Sequence, residues 1–167
     1  MKLAWQQIPS PVISEIYCAT KFDGVVLDTE HGCYSNETLY SCVQVITANS
    51  KKCFVRITET YITLIRFCLD AAVTGLIFST VETKDQAKEI VKLCNYPAHN
   101  GCRGLGLIRQ NMWGEKNLIS SPPILVAQIE TVLGVENFKE IDSCGFDFYM
   151  IGPYDLSASL GIPGDFD

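Results

Sequence analysis

Polar and ionisable residues follow the apolar runs of this sequence at four separate places. They are Asp28, Glu30 and His31 in and after "GVVLD", Arg56 in "CFVRI", Gln128 and Glu130 at the end of "ILVAQIE", and Asp155 just after "IGPY". One such residue would be unremarkable, but four runs ending in this way indicate a site. We call this group of residues the strand-end site.

The residue types suit metal-assisted acid–base chemistry. Glu130 and Asp155 are two carboxylates able to coordinate one hard divalent cation while leaving room for water and substrate. His31 is the natural proton carrier near neutral pH, and Asp28, three residues earlier, could orient its ring. Arg56 offers a fixed positive charge for a developing oxyanion.

Several of these residues also have a plain structural explanation. His31 beside an acidic residue could be a surface pair, Glu130 alone could be half of an ion pair, and Asp155 alone could cap the turn at "DLSAS". Those explanations would have to hold independently at every run. Taken together, the residues therefore favour a site.

The apolar runs are typical of strands in a parallel sheet that is covered on both faces, because they are nearly continuous rather than alternating. We predict strands at Gly24–Asp28, Cys53–Ile57, Gly75–Thr80, Ile124–Glu130 and Phe146–Gly152, with a weaker sixth candidate in "LAWQQI" near the N-terminus. The carboxyl ends of such strands converge on one face of an α/β sheet or barrel, where ligands bind.

Helical patterns separate the strands. We predict helices that begin after Ser10 as N-cap, run over Asn36–Ala48 and about Tyr61–Ala72, open with a Thr83/Gln86 capping box, and cover about Val135–Ser143. This alternation indicates βαβ units. The longest irregular stretch, 95–123, is of a length that is more often functional than idle.

Length limits the architecture. A closed (β/α)8 barrel typically needs ~250 residues, whereas this chain has 167. We expect one α/β domain over 1–167, a TIM barrel that is incomplete at the C-terminus and holds about the first six β/α units. The ending "GIPGDFD" supports this expectation, because it leaves a Gly/Pro turn with nothing after it.

The composition excludes several classes of partner. A net charge of −6 argues against nucleic acid and anionic membranes, which need a basic face. No apolar run approaches the ~20 residues of a membrane span, and the N-terminus lacks the pattern of a secretory signal. The eight cysteines include no C-x-x-C pair, so we expect free thiols in a cytoplasmic protein.

Two other candidate motifs give weaker evidence of function. The glycine-rich "GCRGLG" is neither a dinucleotide fingerprint nor a Walker loop. The serines of "DLSASLG" lack a second histidine in a plausible relay, which disfavours a Ser-His-Asp hydrolase.

Six segments, taken in order, resemble the HpcH/HpaI aldolase family, whose members are metal-dependent class II pyruvate aldolases such as 2,4-dihydroxyhept-2-ene-1,7-dioic acid aldolase. The segments are "FDGVVLDTEHG", "FVRITE", "LDAAVTGLIFSTVETKDQAKEIV", "RGLGLIRQNMWG", "LVAQIET" and "IGPYDLSASLGIPG". The resemblance covers about Trp5 to Gly164. It implies a (β/α)8 barrel of the phosphoenolpyruvate/pyruvate type, usually assembled as a hexamer.

The resemblance also implies a reaction. This would be the cleavage of 4-hydroxy-2-oxo acids to pyruvate and an aldehyde through a metal-stabilised enolate. Glu130 and Asp155 resemble the ligands of the metal, which would be Mg²⁺, Mn²⁺ or Co²⁺. Arg56 resembles the residue that contacts the oxo oxygen of pyruvate, and His31, paired with Asp28, resembles the acid/base residue.

Further positions carried over by the resemblance concern the substrate and the subunits. Gln128 would hydrogen-bond a water near the metal. The backbone N–H groups around Tyr154 and Asp155 would hold the pyruvate carboxylate. Asp70 matches an acidic position at a subunit-facing rim of the site.

One departure from the family pattern lies next to the predicted site. This chain has "IFSTV" where many relatives have "VPMV". The difference would reshape the pocket near Ser79 and Thr80.

Two alternatives to the aldolase stay open. A silent relative that only binds metal or oxo acid would be expected to have lost part of the strand-end site, yet every member is present. A citrate-lyase-like C–C lyase acting on a CoA thioester would need a basic patch for the CoA phosphates, which the acidic chain does not show.

Overall fold

Six parallel strands form one sheet in a computed structural model that describes residues 1–58, 60–116 and 122–166. The strands are β1 (Leu3–Gln6), β2 (Gly24–Asp28), β3 (Lys52–Ile57), β4 (Gly75–Phe78), β5 (Ile124–Ile129) and β6 (Phe148–Ile151). Their spatial order equals their order in the chain, and the sheet curls into part of a barrel. The predicted parallel α/β architecture is confirmed, including the weaker N-terminal strand.

Seven helices connect the strands or follow them in the described residues. They are α1 (Pro11–Cys18), α2 (Asn36–Ala48), α3 (Ile62–Asp70), α4 (Lys84–Cys94), α5 (Val132–Glu136), α6 (Phe138–Asp142) and α7 (Pro153–Ser159). Two 3₁₀ turns, Pro97–His99 and Arg109–Gly114, lie in the irregular stretch. The predicted single helix over Val135–Ser143 is wrong, because the structure has α5 and α6 there, joined at Asn137.

The predicted capping box at the start of α4 is only half formed. The Thr83 hydroxyl accepts a hydrogen bond from the backbone N–H of Gln86, as expected for an N-cap. The Gln86 side chain does not return to Thr83 but accepts the backbone N–H of Glu82 at 2.8 Å. Gln86 thereby holds the loop that precedes the helix.

The main core lies between the outer face of the sheet and the helices. Its fully buried members include Leu27, Val55, Leu76 and Ile90. The inner face carries a smaller cluster, Val26, Phe54, Ile77 and Val126, extended by the partly buried Leu3, Ile124 and Met150. Successive residues of each strand thus alternate between two apolar environments, which explains the continuous apolar runs of the sequence.

All eight cysteines are unpaired thiols in the structure. Several are buried, and burial raises the pKa of Cys94 to about 12. Such a thiol is protonated at neutral pH and behaves as a small apolar side chain. Across the described part of the chain, no helix is long and apolar enough to cross a bilayer.

Close strand approach makes Gly75, at the start of β4, a test of this packing. A Cβ there would lie 2.3 Å from the Ile124 carbonyl oxygen and 2.8 Å from the Phe54 ring. We expect Gly75→Ala to lower the free energy of unfolding by about 1–3 kcal/mol, measured by urea denaturation. Gly104→Ala is the control, because a Cβ at Gly104 meets nothing within 4 Å. Equal effects of the two substitutions would contradict the described register.

Candidate active site

A buried ion pair joins the carboxyl ends of β2 and β3. Asp28 and Arg56 are direct partners in the β2–β3 register, and both are buried. Arg56 Nε donates to Asp28 Oδ1 at 2.9 Å, and Arg56 Nη2 donates to Asp28 Oδ2 at 2.6 Å. This two-pronged geometry fixes the plane of the guanidinium as well as its position.

Asp28 also receives hydrogen bonds from outside β3. Trp5 Nε1 donates at 3.0 Å and Gln7 Nε2 at 3.2 Å to Oδ2, while the backbone N–H groups of Glu30 and His31 donate to Oδ1. Burial alone would raise the pKa of Asp28, but the hydrogen bonds from Arg56, Trp5 and the His31 N–H outweigh it. The carboxyl group therefore has a pKa well below its ordinary value and stays ionised.

The sequence did not single out Trp5 and Gln7 as members of the site. They lie two and four residues after Leu3, which points to the inner face of the sheet. The period of two along β1 would have placed both on that face. Because the N-terminal strand is short and its pattern is weak, the sequence alone does not assign these two side chains to the site.

The structure corrects the predicted pairing of His31 with Asp28. Asp28 holds the main chain of His31 through its N–H at 3.2 Å, and its carboxylate oxygens are occupied by Arg56, Trp5 and Gln7. The His31 side chain is exposed. Asp28 therefore positions His31 through the turn after β2 rather than through the ring.

Arg56 is held on three sides. Its Nη1 lies 2.9 Å from Glu30 Oε2, and its guanidinium carbon lies 5.0 Å from the centre of the Trp5 ring, a cation–π distance. Burial opposes the charge of Arg56, but the hydrogen bonds and charge of Asp28, with Glu30 and Glu130, raise its pKa above the ordinary value. Arg56 is thus a rigid, permanent cation beside the carboxylates.

Glu130 follows β5 directly and is 3% exposed. Its Oε1 accepts the backbone N–H of Thr80 at 2.7 Å and the Thr80 hydroxyl at 2.8 Å. Its Oε2 accepts a hydrogen bond from Gln128 Nε2. Gly152, just after β6, approaches so closely that a Cβ there would lie 2.3 Å from Glu130 Oε2.

Electrostatics set Glu130 apart from Asp28. Burial raises the pKa of Glu130, the Thr80 hydrogen bonds lower it, and the nearby charges of Asp155 and Glu30 raise it again, so that the pKa lies above the ordinary value. Several carboxylates therefore share this end of the sheet with too little positive charge. A bound cation would relieve that repulsion.

Asp155 lies in the first turn of α7 and is exposed, as is Tyr154, whose ring contacts Phe166. Within residues 1–58, 60–116 and 122–166, no cluster of three or more His, Cys, Asp or Glu side chains is placed to hold a metal ion. Glu130 and Asp155 follow the neighbouring strands β5 and β6. Gln128 Oε1, a buried oxygen with no hydrogen-bond partner, adds a further acceptor beside them.

Two other predicted residues lie in different surroundings. Ser79 is buried directly after β4, and its N–H donates to the Ile57 carbonyl at 3.1 Å. Asp70 is the last residue of α3, a helix that runs back from the strand ends, and pairs with Arg103 at 2.8 Å. The structure therefore does not bring Asp70 into the strand-end site of its own chain.

Comparison with known proteins is consistent with this geometry. A family model described as HpcH/HpaI aldolase/citrate lyase matches residues 3–166. A hydroxypyruvate/pyruvate aldolase from Delftia acidovorans is 33% identical over 168 aligned positions, which cover 96% of this chain and 62% of that protein. The chain thus spans about three fifths of the length of such relatives.

Solved structures give the same result. An HpcH/HpaI aldolase/citrate lyase family protein from Burkholderia cenocepacia superimposes with a TM-score of 0.90 at 28% identity, covering 98% of this chain and 68% of that one. The citrate synthase SbnG superimposes with a TM-score of 0.87 at 31% identity, covering 98% of this chain and 65% of that one. The partial (β/α) barrel predicted from the sequence is confirmed.

The low pKa of Asp28 predicts a pH-dependent stability. Its contribution is complete above the pKa of an unfolded aspartate, about 3.9, and is lost as the pH falls below that value towards the folded-state pKa. We expect Asp28→Asn to lower the free energy of unfolding by about 3–5 kcal/mol at pH 7. The difference from the wild type should shrink below about pH 4.

Urea denaturation between pH 3 and pH 8 measures this difference. Asp85→Asn, at an exposed position of α4, is the matched control and should track the wild type. A gap between wild type and Asp28→Asn that stays constant across the acid range would show that the Asp28 pKa is not lowered.

Proposed function

Because the chain belongs to the HpcH/HpaI aldolase/citrate lyase family, we propose that its strand-end site is that of a class II aldolase. The reaction is the reversible cleavage of a 4-hydroxy-2-oxo acid to pyruvate and an aldehyde. The observation that best supports it is that Glu130, Asp155 and a fixed Arg56 lie at the carboxyl ends of β5, β6 and β3 in one parallel sheet. That grouping matches what pyruvate chemistry requires: a cation site next to a permanent positive charge.

Glu130 and Asp155 would hold the divalent cation, Mg²⁺, Mn²⁺ or Co²⁺. The buried oxygen of Gln128, the raised pKa of Glu130 and the close approach of Gly152 fit a compact oxygen-lined site. When bound, such a cation acts as a Lewis acid towards the oxo oxygen of the substrate.

Arg56 would contact the same oxo oxygen and stabilise the negative charge that develops when the C3–C4 bond breaks. Asp28 occupies Nε and one hydrogen of Nη2, so the guanidinium cannot swing away. A fixed donor of this kind is worth about 3 kcal/mol of transition-state stabilisation in other enzymes. Because folding already orients Arg56, no conformational entropy of its side chain has to be lost during the reaction.

The carboxylate of pyruvate would bind at the start of α7. Pro153 is the first residue of that helix, and the N–H groups of Tyr154 and Asp155 lie in its first turn, where no carbonyl of the helix reaches them. Gln128, beside Glu130, would hydrogen-bond a water or a substrate oxygen. Together these groups orient the three-carbon unit.

His31 would move the proton of the C4 hydroxyl. The hydroxyl must lose its proton as the aldehyde leaves, and an imidazole is the side chain suited to accept it near neutral pH. The exposed position of His31 allows the ring to exchange that proton with solvent. Its main chain is fixed by Asp28, which keeps the residue at the rim of the site.

A second candidate reaction is supported by the likeness to citrate synthase SbnG. The same cation site and Arg56 could stabilise the enolate of a different oxo acid during C–C bond formation or cleavage. For either reaction we propose a cytoplasmic protein that works as an oligomer, a hexamer in the family the sequence resembles.

Exchange of the pyruvate methyl protons in D₂O tests enolate formation without knowledge of the aldehyde. We expect the wild-type chain with Mn²⁺ to catalyse exchange, followed by NMR after removal of the metal, and EDTA to abolish it. Glu130→Gln removes a charged ligand and should abolish exchange while leaving the protein folded.

Glu89→Gln on the exposed side of α4 is the matched control and should exchange at the wild-type rate. Exchange by Glu130→Gln at the wild-type rate would show that the site is wrongly assigned. No exchange with the wild type would count against the aldolase and leave a protein that only binds metal or oxo acid.

Gly152→Ala tests the compactness of the cation site. The added Cβ would lie 2.3 Å from Glu130 Oε2, 2.7 Å from Gln128 Nε2 and 2.7 Å from Glu130 Cβ. Glu130 would have to shift, and we expect the free energy of unfolding to fall by about 1–3 kcal/mol. The carboxylate would be displaced, and we expect about a tenfold loss of Mn²⁺ affinity, measured by electron paramagnetic resonance of free Mn²⁺. An unchanged affinity would place the cation away from Glu130.

A further inference from the structure

Thr80 has a backbone conformation that is unusual for its residue type. Its φ is +53°, in the left-handed region, where a β-branched residue is a genuine outlier. Glycine would adopt this conformation without steric cost. Strained backbone of this kind persists where the surrounding structure imposes it, and it concentrates at functional sites.

The strained residue directs two donors at a single atom. The Thr80 N–H lies 2.7 Å and its hydroxyl 2.8 Å from Glu130 Oε1. Glycine would supply only the first of these bonds. The threonine side chain therefore adds a hydrogen bond at the very position where a side chain is disfavoured.

The turn around Thr80 is held by both neighbouring strands. The N–H of Ser79 donates to the Ile57 carbonyl of β3 at 3.1 Å, and the N–H of Val81 donates to the Gln128 carbonyl of β5 at 3.2 Å. Thr80 lies between these two anchors. Its own N–H is left to point at Glu130.

The side chain of Gln86, on α4, also holds the turn around Thr80. Its Nε2 donates to the Thr80 carbonyl at 3.0 Å, and its Oε1 accepts the N–H of Glu82 at 2.8 Å. One side chain thus bridges the two ends of the strained turn. The left-handed conformation of Thr80 is imposed by α4 and the sheet together.

The two oxygens of Glu130 consequently differ. Oε1 accepts two hydrogen bonds from Thr80 and has no acceptor capacity left. Oε2 accepts one from Gln128, which leaves it capacity for one more partner. The carboxylate cannot rotate without breaking the Thr80 bonds.

We propose that Thr80 is a positioning residue that orients Glu130 so that Oε2 alone is presented to a divalent cation. This inference rests on the function proposed above. It assigns a role to the "IFSTV" segment, whose departure from the family pattern the proposed reaction does not otherwise use.

Mn²⁺ binding to the whole chain tests the proposal, with free Mn²⁺ followed by electron paramagnetic resonance. Thr80→Val keeps the β-branched shape and the N–H and loses only the hydroxyl, so we expect about a tenfold loss of affinity. Thr80→Ser restores the hydroxyl and should restore affinity. Thr38→Val, which removes a hydroxyl on α2, is the control and should bind as the wild type does.

The outcomes separate this inference from the proposed function. If Glu130→Gln loses Mn²⁺ but Thr80→Val binds normally, Thr80 is not a positioning residue and the cation site stands. If Glu130→Gln binds as the wild type does, the cation site and the inference both fail. If Thr80→Val does not fold by circular dichroism, Thr80→Gly replaces it, because glycine accepts the positive φ and lacks the hydroxyl. An unchanged affinity in that variant overturns the proposal.

Discussion

The buried pair of Asp28 and Arg56 is the interaction on which the polar end of this sheet depends. Taking both charges out of water costs several kcal/mol per ion, and only saturated hydrogen bonding repays that cost. Asp28 is saturated by Arg56, Trp5, Gln7 and the turn that follows β2. The pair therefore fixes the end of β1, the turn after β2 and the end of β3 relative to one another.

Asp28 and Glu130 lie at the same end of the sheet but have different roles. Both are buried, yet donors outnumber acceptors around Asp28, whereas Glu130 shares its surroundings with Asp155 and Glu30. Environments that push two pKa values apart are the usual sign of divided labour in an active site. The Asp28 carboxylate has all its hydrogen bonds satisfied, mainly by Arg56. The Glu130 carboxylate lies near other negative charges that nothing in its surroundings fully balances.

The sequence sufficed for the strands and their polar ends, because buried parallel strands are continuous apolar runs whose carboxyl ends must converge. It did not suffice for contacts that depend on a single backbone torsion. Nothing in the residue type of Thr80 signals a positive φ, which the neighbouring strands and Gln86 impose. The break between α5 and α6 is similar, since Asn137 is drawn into a hydrogen bond with the Glu82 carbonyl, far away in the chain.

The strand order has a consequence for how the protein is made. Each strand pairs with the one that precedes it in the chain, so no strand has to insert between two that are already joined. A growing chain can add β2 to β1, then β3, while the rest is still being synthesised. The widest gap falls between β4 and β5, where Gly75 must find Ile124 across the irregular stretch. Closing that gap carries the largest loop entropy, and it is also the step that brings Glu130 to Thr80.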